Sequence, residues 1–212
     1  MLSTDATYLK AKKIKDGTAE LQIEFKELYK FLKKEYAATL LNADVYFEPV
    51  FKSLAPSLRL LIDNSIQETT LPVYFLDRND IKEQFLSICN KYNSNLTANI
   101  TNKDLRIEYY EFDEIFFHEA LKNISYFDVL ETINNNSIVK MIPFFNQFFF
   151  FFENQNNLNN ELKNNSKNIF KSKIIELLKR KGYNGKRLSE VFIFFDLIDS
   201  IEKAGGVYNY LR

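Results

Sequence analysis

From residue 18 to about 41, Leu21, Phe25, Leu28, Leu32 and Tyr36 recur at intervals of three and four, with lysines and glutamates between them. That spacing predicts an amphipathic helix, with Asp16 or Thr18 as its cap. Asp44 is placed to cap a further helical segment over 45–53, with Pro49 near its first turn. Pro56 then interrupts or restarts a helix through Leu58, Leu60, Leu61, Ile62 and Ile66. Residues 71–76 (LPVYFL) suit a short extended piece. A helix follows from Asn79 or Asp80, with Ile81, Phe85, Ile88 and Tyr92 on one face.

Residues 95–110 admit two readings. NLTANIT and LRIEYY alternate like the arms of a hairpin around Asn-Lys-Asp, while Thr101 or Asn102 equally suits the cap of a helix beginning at Lys103. Residues 111–133 read as two short amphipathic helices meeting at a corner. Asp113 caps the first, with Ile115, Phe116 and Leu121 apolar; Ser125 caps the second, with Phe127, Leu130 and Ile133 on one stripe.

Beyond the corner, Ser137 heads a predicted buried helix through Ile138, Ile142, Phe145, Phe149 and Phe152. Phenylalanine fills seven of the nine positions 144–152. This run falls short of the ~18 apolar residues a membrane span requires, and Asn146 and Gln147 interrupt it. Eight asparagines in residues 153–168 show no periodicity and predict a loop between two lobes. Ser166 caps a helix carrying Ile169, Phe170, Ile174, Leu177 and Leu178, which Gly182 ends. A last helix, about 186–204, is loaded by Leu188, Val191, Phe192, Phe195, Leu197, Ile198 and Ile201.

These elements predict an all-α protein with at most one small hairpin. Its organisation is an N-terminal helical lobe over 1–152, the Asn-rich loop 153–168, and a C-terminal helical hairpin over 169–212 that packs on the first lobe or forms one domain with it.

Composition narrows the function classes. The chain has 212 residues and a formal charge of zero, from 28 basic and 28 acidic side chains. Global charge therefore gives no pull toward nucleic acid or an anionic membrane. Cys89 is the single cysteine and His118 the single histidine. An internal disulfide and a Cys/His zinc site are excluded, and a di-iron bundle, which takes two histidines, is excluded with them. The five glycines form neither a Walker nor a Rossmann pattern. The N-terminal residues lack the apolar core of a signal peptide. The expectation is a protein that is not an enzyme and takes no cofactor or metal, with His118 a hydrogen-bonded structural histidine.

Charge is nevertheless segregated. Residues 104–119, Glu114 among them, hold six acids against Arg106, and 163–187 hold nine bases against Glu176. These are solvated helix faces or docking surfaces for different partners. A helix-turn-helix over Lys171–Leu197 is disfavoured, because its recognition helix would read SEVFIFFDLI, too apolar and acidic for a groove.

Three segments carry a family resemblance. Phe117-His118-Glu119 followed by Tyr126-Phe127-Asp128-Val129-Leu130-Glu131 resembles the signature of the TssL/DotU/IcmH family, without its tryptophan and paired glycines. Ser57 to Ile66, SLRLLIDNSI, is similar to that family's Ala-Leu-Cys-Ala-Phe-Ile-Asp-Glu-Thr-Val segment, with Asn64 in place of the second acid. Ile174 to Leu178 and Gly182-Tyr183-Asn184-Gly185-Lys186 resemble its Leu-Leu-Glu-Leu helix and glycine turn.

The resemblance implies a hook-like domain of two helical bundles, the cytoplasmic part of an inner-membrane component of type VI or type IVB secretion. A membrane anchor would lie beyond residue 212. Its partners would be an IcmF/TssM-like membrane protein, baseplate components and a second copy of itself, with no nucleic acid. The resemblance and the acidic run together point to Asp63, Glu114, His118 and Glu119 as partner-binding residues, Asp63 and Glu119 in an acidic cleft. Ile62, Phe117, Phe127, Glu131, Gly182 and Gly185 would hold the motif in place. The alternative is a small soluble all-helical inhibitor or adaptor with one tight partner; a nucleic-acid-binding helical protein ranks behind both.

Overall fold

In the computed structural model of the chain, the described residues are 2–50, 53–63, 79–97, 100 and 104–212. They form two units, residues 1–115 and 116–212, each built around its own three-stranded sheet. The all-α expectation is therefore corrected: the fold mixes helices with two mixed sheets.

In the first unit, Asp5 caps helix α1 (Ala6–Lys15) by accepting from the Thr7 N–H. Helix α2 (Ile23–Tyr36) buries Phe25, Leu28, Leu32 and Tyr36 and ends at Ala37, which lies in the left-handed region. Strands β1 (Thr39–Val50) and β2 (Ser53–Asp63) form an antiparallel hairpin with a bulge between Leu40 and Asn42. Helix α3 (Asn79–Lys91) crosses back to β3 (Arg106–Glu111), which lies parallel to β2. Leu40, Ala43, Leu58, Leu60, Ile62 and Ile107 face α2 and α3 in one buried core. The alternate residues face α1, whose Tyr8 and Ala11 are fully buried.

The boundary between the units falls within helix α4 (Phe112–Lys122). Helix α5 (Tyr126–Ile133) opens with a capping box between Ser125 and Asp128 and ends at left-handed Asn134. A second antiparallel hairpin follows, β4 (Ile138–Phe144) and β5 (Gln147–Phe152), bulged between Ile138 and Lys140. Helices α6 (Gln155–Lys163) and α7 (Ser166–Arg180) lead through a 3-10 turn at Lys186–Glu190 to β6 (Phe192–Leu197), parallel to β5. Two short helices close the chain, α8 (Asp199–Lys203) and α9 (Val207–Tyr210). Met141, Phe148, Phe150 and Phe152 bury one sheet face against Phe170, Ile174, Leu177 and Leu178.

The helices corrected to strands share one cause. Where nearly every residue is apolar, period 2 and period 3.6 fit equally well, and β-branched and aromatic content decides. Residues 45–50 and 53–63 are strands, not helix. Pro56 is tolerated there because pairing with β3 begins only at Ser57, so its missing N–H leaves no β3 bond unmade. Helix α2 begins at Ile23 and gives way to β1 by Thr39, well short of Leu41.

The Phe-rich "helix" 138–152 is the β4–β5 hairpin, turning at Phe145 and Asn146. The last helix, 186–204, resolves into a 3-10 turn, a strand and a five-residue helix. The Asn-rich 153–168 is largely helical, with Asn154 accepting from the Asn157 N–H as its cap. Asp113 is buried inside α4 and does not cap it. Residues 106–111 are extended and not helical, as the alternation of LRIEYY predicts, and pair parallel to β2; part of the turn and of the first arm proposed at 95–104 lies outside the described residues. The extended piece proposed at 71–76 lies outside the described residues. The helix from Asn79, the two helices of the 111–133 corner and the α7 helix are where the pattern placed them, except that Glu111 ends β3 and Ser166 lies inside α7, whose N-cap is Asn165. Among the described residues, no helix is long and apolar enough to cross a membrane.

Candidate partner-binding surface

Strand alternation sends the second sheet's other set of side chains away from its core: Lys140, Ile142 and Phe144 on β4, Gln147, Phe149 and Phe151 on β5, Phe192, Phe194 and Asp196 on β6. One end of this face is covered. Tyr210 of α9 packs edge-on against Phe149 and Phe151, and its hydroxyl donates to Asp196 Oδ2 at 2.7 Å. Burial alone would raise the Asp196 pKa, but bonds from Tyr210, Ser200 and the Leu197 N–H outweigh it and hold the carboxyl below its usual range. Burial, then the bond to this carboxylate, pushes the Tyr210 hydroxyl up in turn.

The other end is open. Phe144 is 36%, Phe192 48% and Phe194 38% exposed, with Phe149 stacked on Phe194 at 4.8 Å between ring centroids. Phe145, 70% exposed, extends the patch from the turn with a φ of 53°, a conformation a bulky residue rarely holds. The two-residue hairpin turn demands that positive φ, and the Phe145 ring packs edge-on against Phe144 at 4.7 Å. Asn146 fixes the turn, donating from Nδ2 to Glu190 O at 2.7 Å while its carbonyl accepts from Phe192 N–H at 3.0 Å. From side-chain areas of ~200 Å² per aromatic, the four phenylalanines expose about 400 Å². Apolar patches of that size on a single chain are often functional.

The corresponding face of the first sheet is polar and covered. Arg59 binds both oxygens of Asp44 and reaches Asp5 at 3.1 Å, Thr7 Oγ1 donates to Asp44 at 2.6 Å, and Asn42 Nδ2 donates to Thr7 O at 3.0 Å. The bond to Asp44 raises the Arg59 pKa above its ordinary value. This cluster fastens the start of α1 to β1 and β2.

The residues singled out from sequence are dispersed. Asp63 ends β2 and pairs with Lys15 at 2.8 Å, and Ile62 is buried in the first core. Glu114 is exposed in the first-unit part of α4. His118 and Glu119 are half-buried in its second-unit part, His118 beside the Phe117 ring. Phe117 is buried against Tyr183, whereas Phe127 is 78% exposed on α5. Glu131 lines a shallow groove of about 690 Å³ between α5 and α7, with Asp128, Thr132, Glu176, Lys179 and Arg180. Opposite charges pair across it, Lys181 to Asp128 at 3.3 Å, and Arg180 bonds Thr132 at 3.1 Å. Gly182, at φ 94°, ends α7 as predicted; Gly185 has an ordinary φ of −78° and leads into the 3-10 turn.

Among the described residues, no group of three or more His, Cys, Asp or Glu side chains is placed to hold a metal ion. Phe144, Phe145, Phe192 and Phe194 were absent from the sequence-derived site. The signal for them was the Asn146 turn residue between two β-prone runs and the aromatic alternation of FIFFDL. No protein family, curated protein or solved structure matches the chain.

Proposed function

We propose that this chain is a non-enzymatic binding protein, an adaptor or inhibitor that engages another protein through the aromatic face of its second sheet. The observation carrying this reading is the exposed aromatic face formed by Phe144, Phe192 and Phe194, with Phe145 exposed at the adjoining turn and packed edge-on against Phe144. Aromatic side chains dominate the buried centres of protein interfaces, where a few anchors supply most of the binding energy. The secretion-subunit reading drew on a helical hook. Ile62 and Asp63 instead stand on a strand, and Gly185 joins a helix to a 3-10 turn, so the surface and not the resemblance supports the function proposed.

The test is selection of ligands from a random peptide display library on the wild-type chain, followed by titration against Phe192→Ser/Phe194→Ser. Circular dichroism would show that the variant retains its fold. Ligands weakened tenfold or more by the double substitution support the reading. Ligands indifferent to it, or no ligand at all, overturn it.

A further inference from the structure

The two units repeat one plan: a helix ending at a left-handed residue, a bulged antiparallel hairpin, a helical crossover, and a third strand parallel to the second. The register repeats as well. Ser57 pairs with Arg106 and Ile62 with Glu111 in the first sheet; Gln147 pairs with Phe192 and Phe152 with Leu197 in the second. Position by position, β3 (Arg106, Ile107, Glu108) corresponds to β6 (Phe192, Ile193, Phe194).

Among the described residues both third strands are sheet edges, and edges are ordinarily guarded by charge, proline or bulges. The β3 edge carries Arg106, Glu108 and Glu111. On the far side of the second sheet, β4 carries a bulge, Lys140 and Pro143. Strand β6 alone reads FIFFDL, and its one acid, Asp196, is engaged by Tyr210, Ser200 and the Leu197 N–H.

The main chain of β6 is open on that side. Phe192 N–H donates to Asn146 O and Ile198 N–H to Phe152 O, so the even-numbered residues bond to β5. The parallel ladder then turns the N–H and C=O of Ile193 and Phe195 outward. Among the described residues, neither has a backbone hydrogen bond beyond the sheet. Two lysines of α7 lie near the rings of this strand, Lys171 Nζ 5.7 Å from Phe192 while donating to Ser189 O at 2.8 Å, and Lys167 Nζ 5.6 Å from Phe195. The neighbouring Glu190 is already paired with Arg187 at 3.0 Å.

We infer that β6 is a strand-addition site for an extended, acidic segment of a partner protein. This deepens the binding reading above and rests on it. The open amide and carbonyl of Ile193 and Phe195 define a strand as the occupant, Phe192 and Phe194 receive its alternate side chains, and Lys167 and Lys171 select acidic ones. The patch of about 400 Å² is half the ~800 Å² per partner of a stable protein–protein interface, which suits a peptide segment and not a lasting dimer of this chain.

The probe is a seven-residue peptide alternating Asp or Glu with Val, read by fluorescence anisotropy and by amide NMR. Three controls accompany it: the Lys-for-acid peptide, the acidic peptide N-methylated at alternate residues, and the variant Lys167→Glu/Lys171→Glu. Expected are shifts and slowed exchange at the Ile193 and Phe195 amides, a loss of about tenfold in the lysine variant from two reversed surface charges, and no binding by the N-methylated peptide. Equal binding by the N-methylated or the basic peptide overturns the inference. So does acidic-peptide binding with shifts only off the β6 edge. If library-selected ligands still need Phe192 and Phe194 while the acidic peptide fails, strand addition by an acidic segment falls and the binding function stands. If no ligand depends on those phenylalanines, both fall.

Discussion

Leucine substitutions along the run from Phe144 to Phe152 would separate strand from helix by the period of their cost. Phe148, Phe150 and Phe152 are 2%, 0% and 0% exposed and point into one core, whereas Phe145 is 70% exposed. The Phe150 ring lies 5.0 Å from that of Phe170 and 6.1 Å from that of Phe195, both edge-on. Truncating such a residue to alanine removes about 3–5 kcal/mol, a large share of the ~5–15 kcal/mol that holds a typical domain. Leucine keeps the chain folded while deleting part of each contact, and should cost about 1–2 kcal/mol at 148, 150 and 152. At Phe144 and Phe145 the cost should stay within about 0.5 kcal/mol, and at half-buried Phe149 between these limits.

Phe151 is fully buried on the other face, under Tyr210, so its cost should couple to Tyr210→Phe in a double-mutant cycle. Urea unfolding followed by far-ultraviolet circular dichroism gives each value at unchanged slope. A helix would place Phe145, Phe149 and Phe152 on one stripe. If those three proved the expensive set and Phe148 and Phe150 proved cheap, the strand assignment would be refuted.

Three further outcomes are expected. Phe145→Gly removes a bulky residue from φ 53° and should raise stability by about 0.5–1 kcal/mol, while weakening any ligand of the aromatic patch; calorimetry and anisotropy on one variant read both. Arg59→Met strands Asp44 and Asp5 beside each other and should cost about 1–3 kcal/mol, discounted from the fully buried case because both acids are partly exposed. Faster hydrogen exchange at the start of α1 would report it.

Asp196 is held below its ordinary range, so its contribution is complete above the unfolded value of ~4 and is lost as pH falls through the lowered folded value. Urea midpoints measured down through that window should decline less steeply in Asp196→Asn than in the wild type. A parallel decline would show that the carboxylate does not hold α9 in place.

What could be read from sequence divides along the same physical line. Helices α2, α3, α5 and α7 were legible because each alternates apolar residues with charges at helical spacing, and because Ser125 and Gly182 mark ends with side-chain and backbone chemistry of their own. Strand β3 was legible as an extended piece because LRIEYY alternates, but the other strands were illegible for the opposite reason. In QFFFFF the core-facing and outward residues are the same amino acid, so no alternation survives to show the pleat. In SLRLLID the outward Arg59 and Asp63 are spaced by four, which fits one side of a helix as readily as one face of a strand. The aromatic surface was hidden by the same uniformity: Phe148 in the core and Phe149 at the surface cannot be told apart until the β5 register is known.

The repeat was hidden for a different reason. Equivalent core positions are conservative between the units, Leu58, Leu60 and Ile62 against Phe148, Phe150 and Phe152, because each fills the space between a sheet and its helices. Equivalent outward positions are not: Arg59 becomes Phe149, Arg106 becomes Phe192 and Glu108 becomes Phe194. A charged face fastened under α1 and an aromatic face covered only at one end share a backbone and almost nothing that a residue-by-residue comparison would register. Short motifs such as Ile62-Asp63 or Gly182-Tyr183-Asn184-Gly185 record local chemistry, a strand end and a helix stop, that many folds need. The divergence is confined to the side that a module's own core does not constrain, which is where selection for a partner would act.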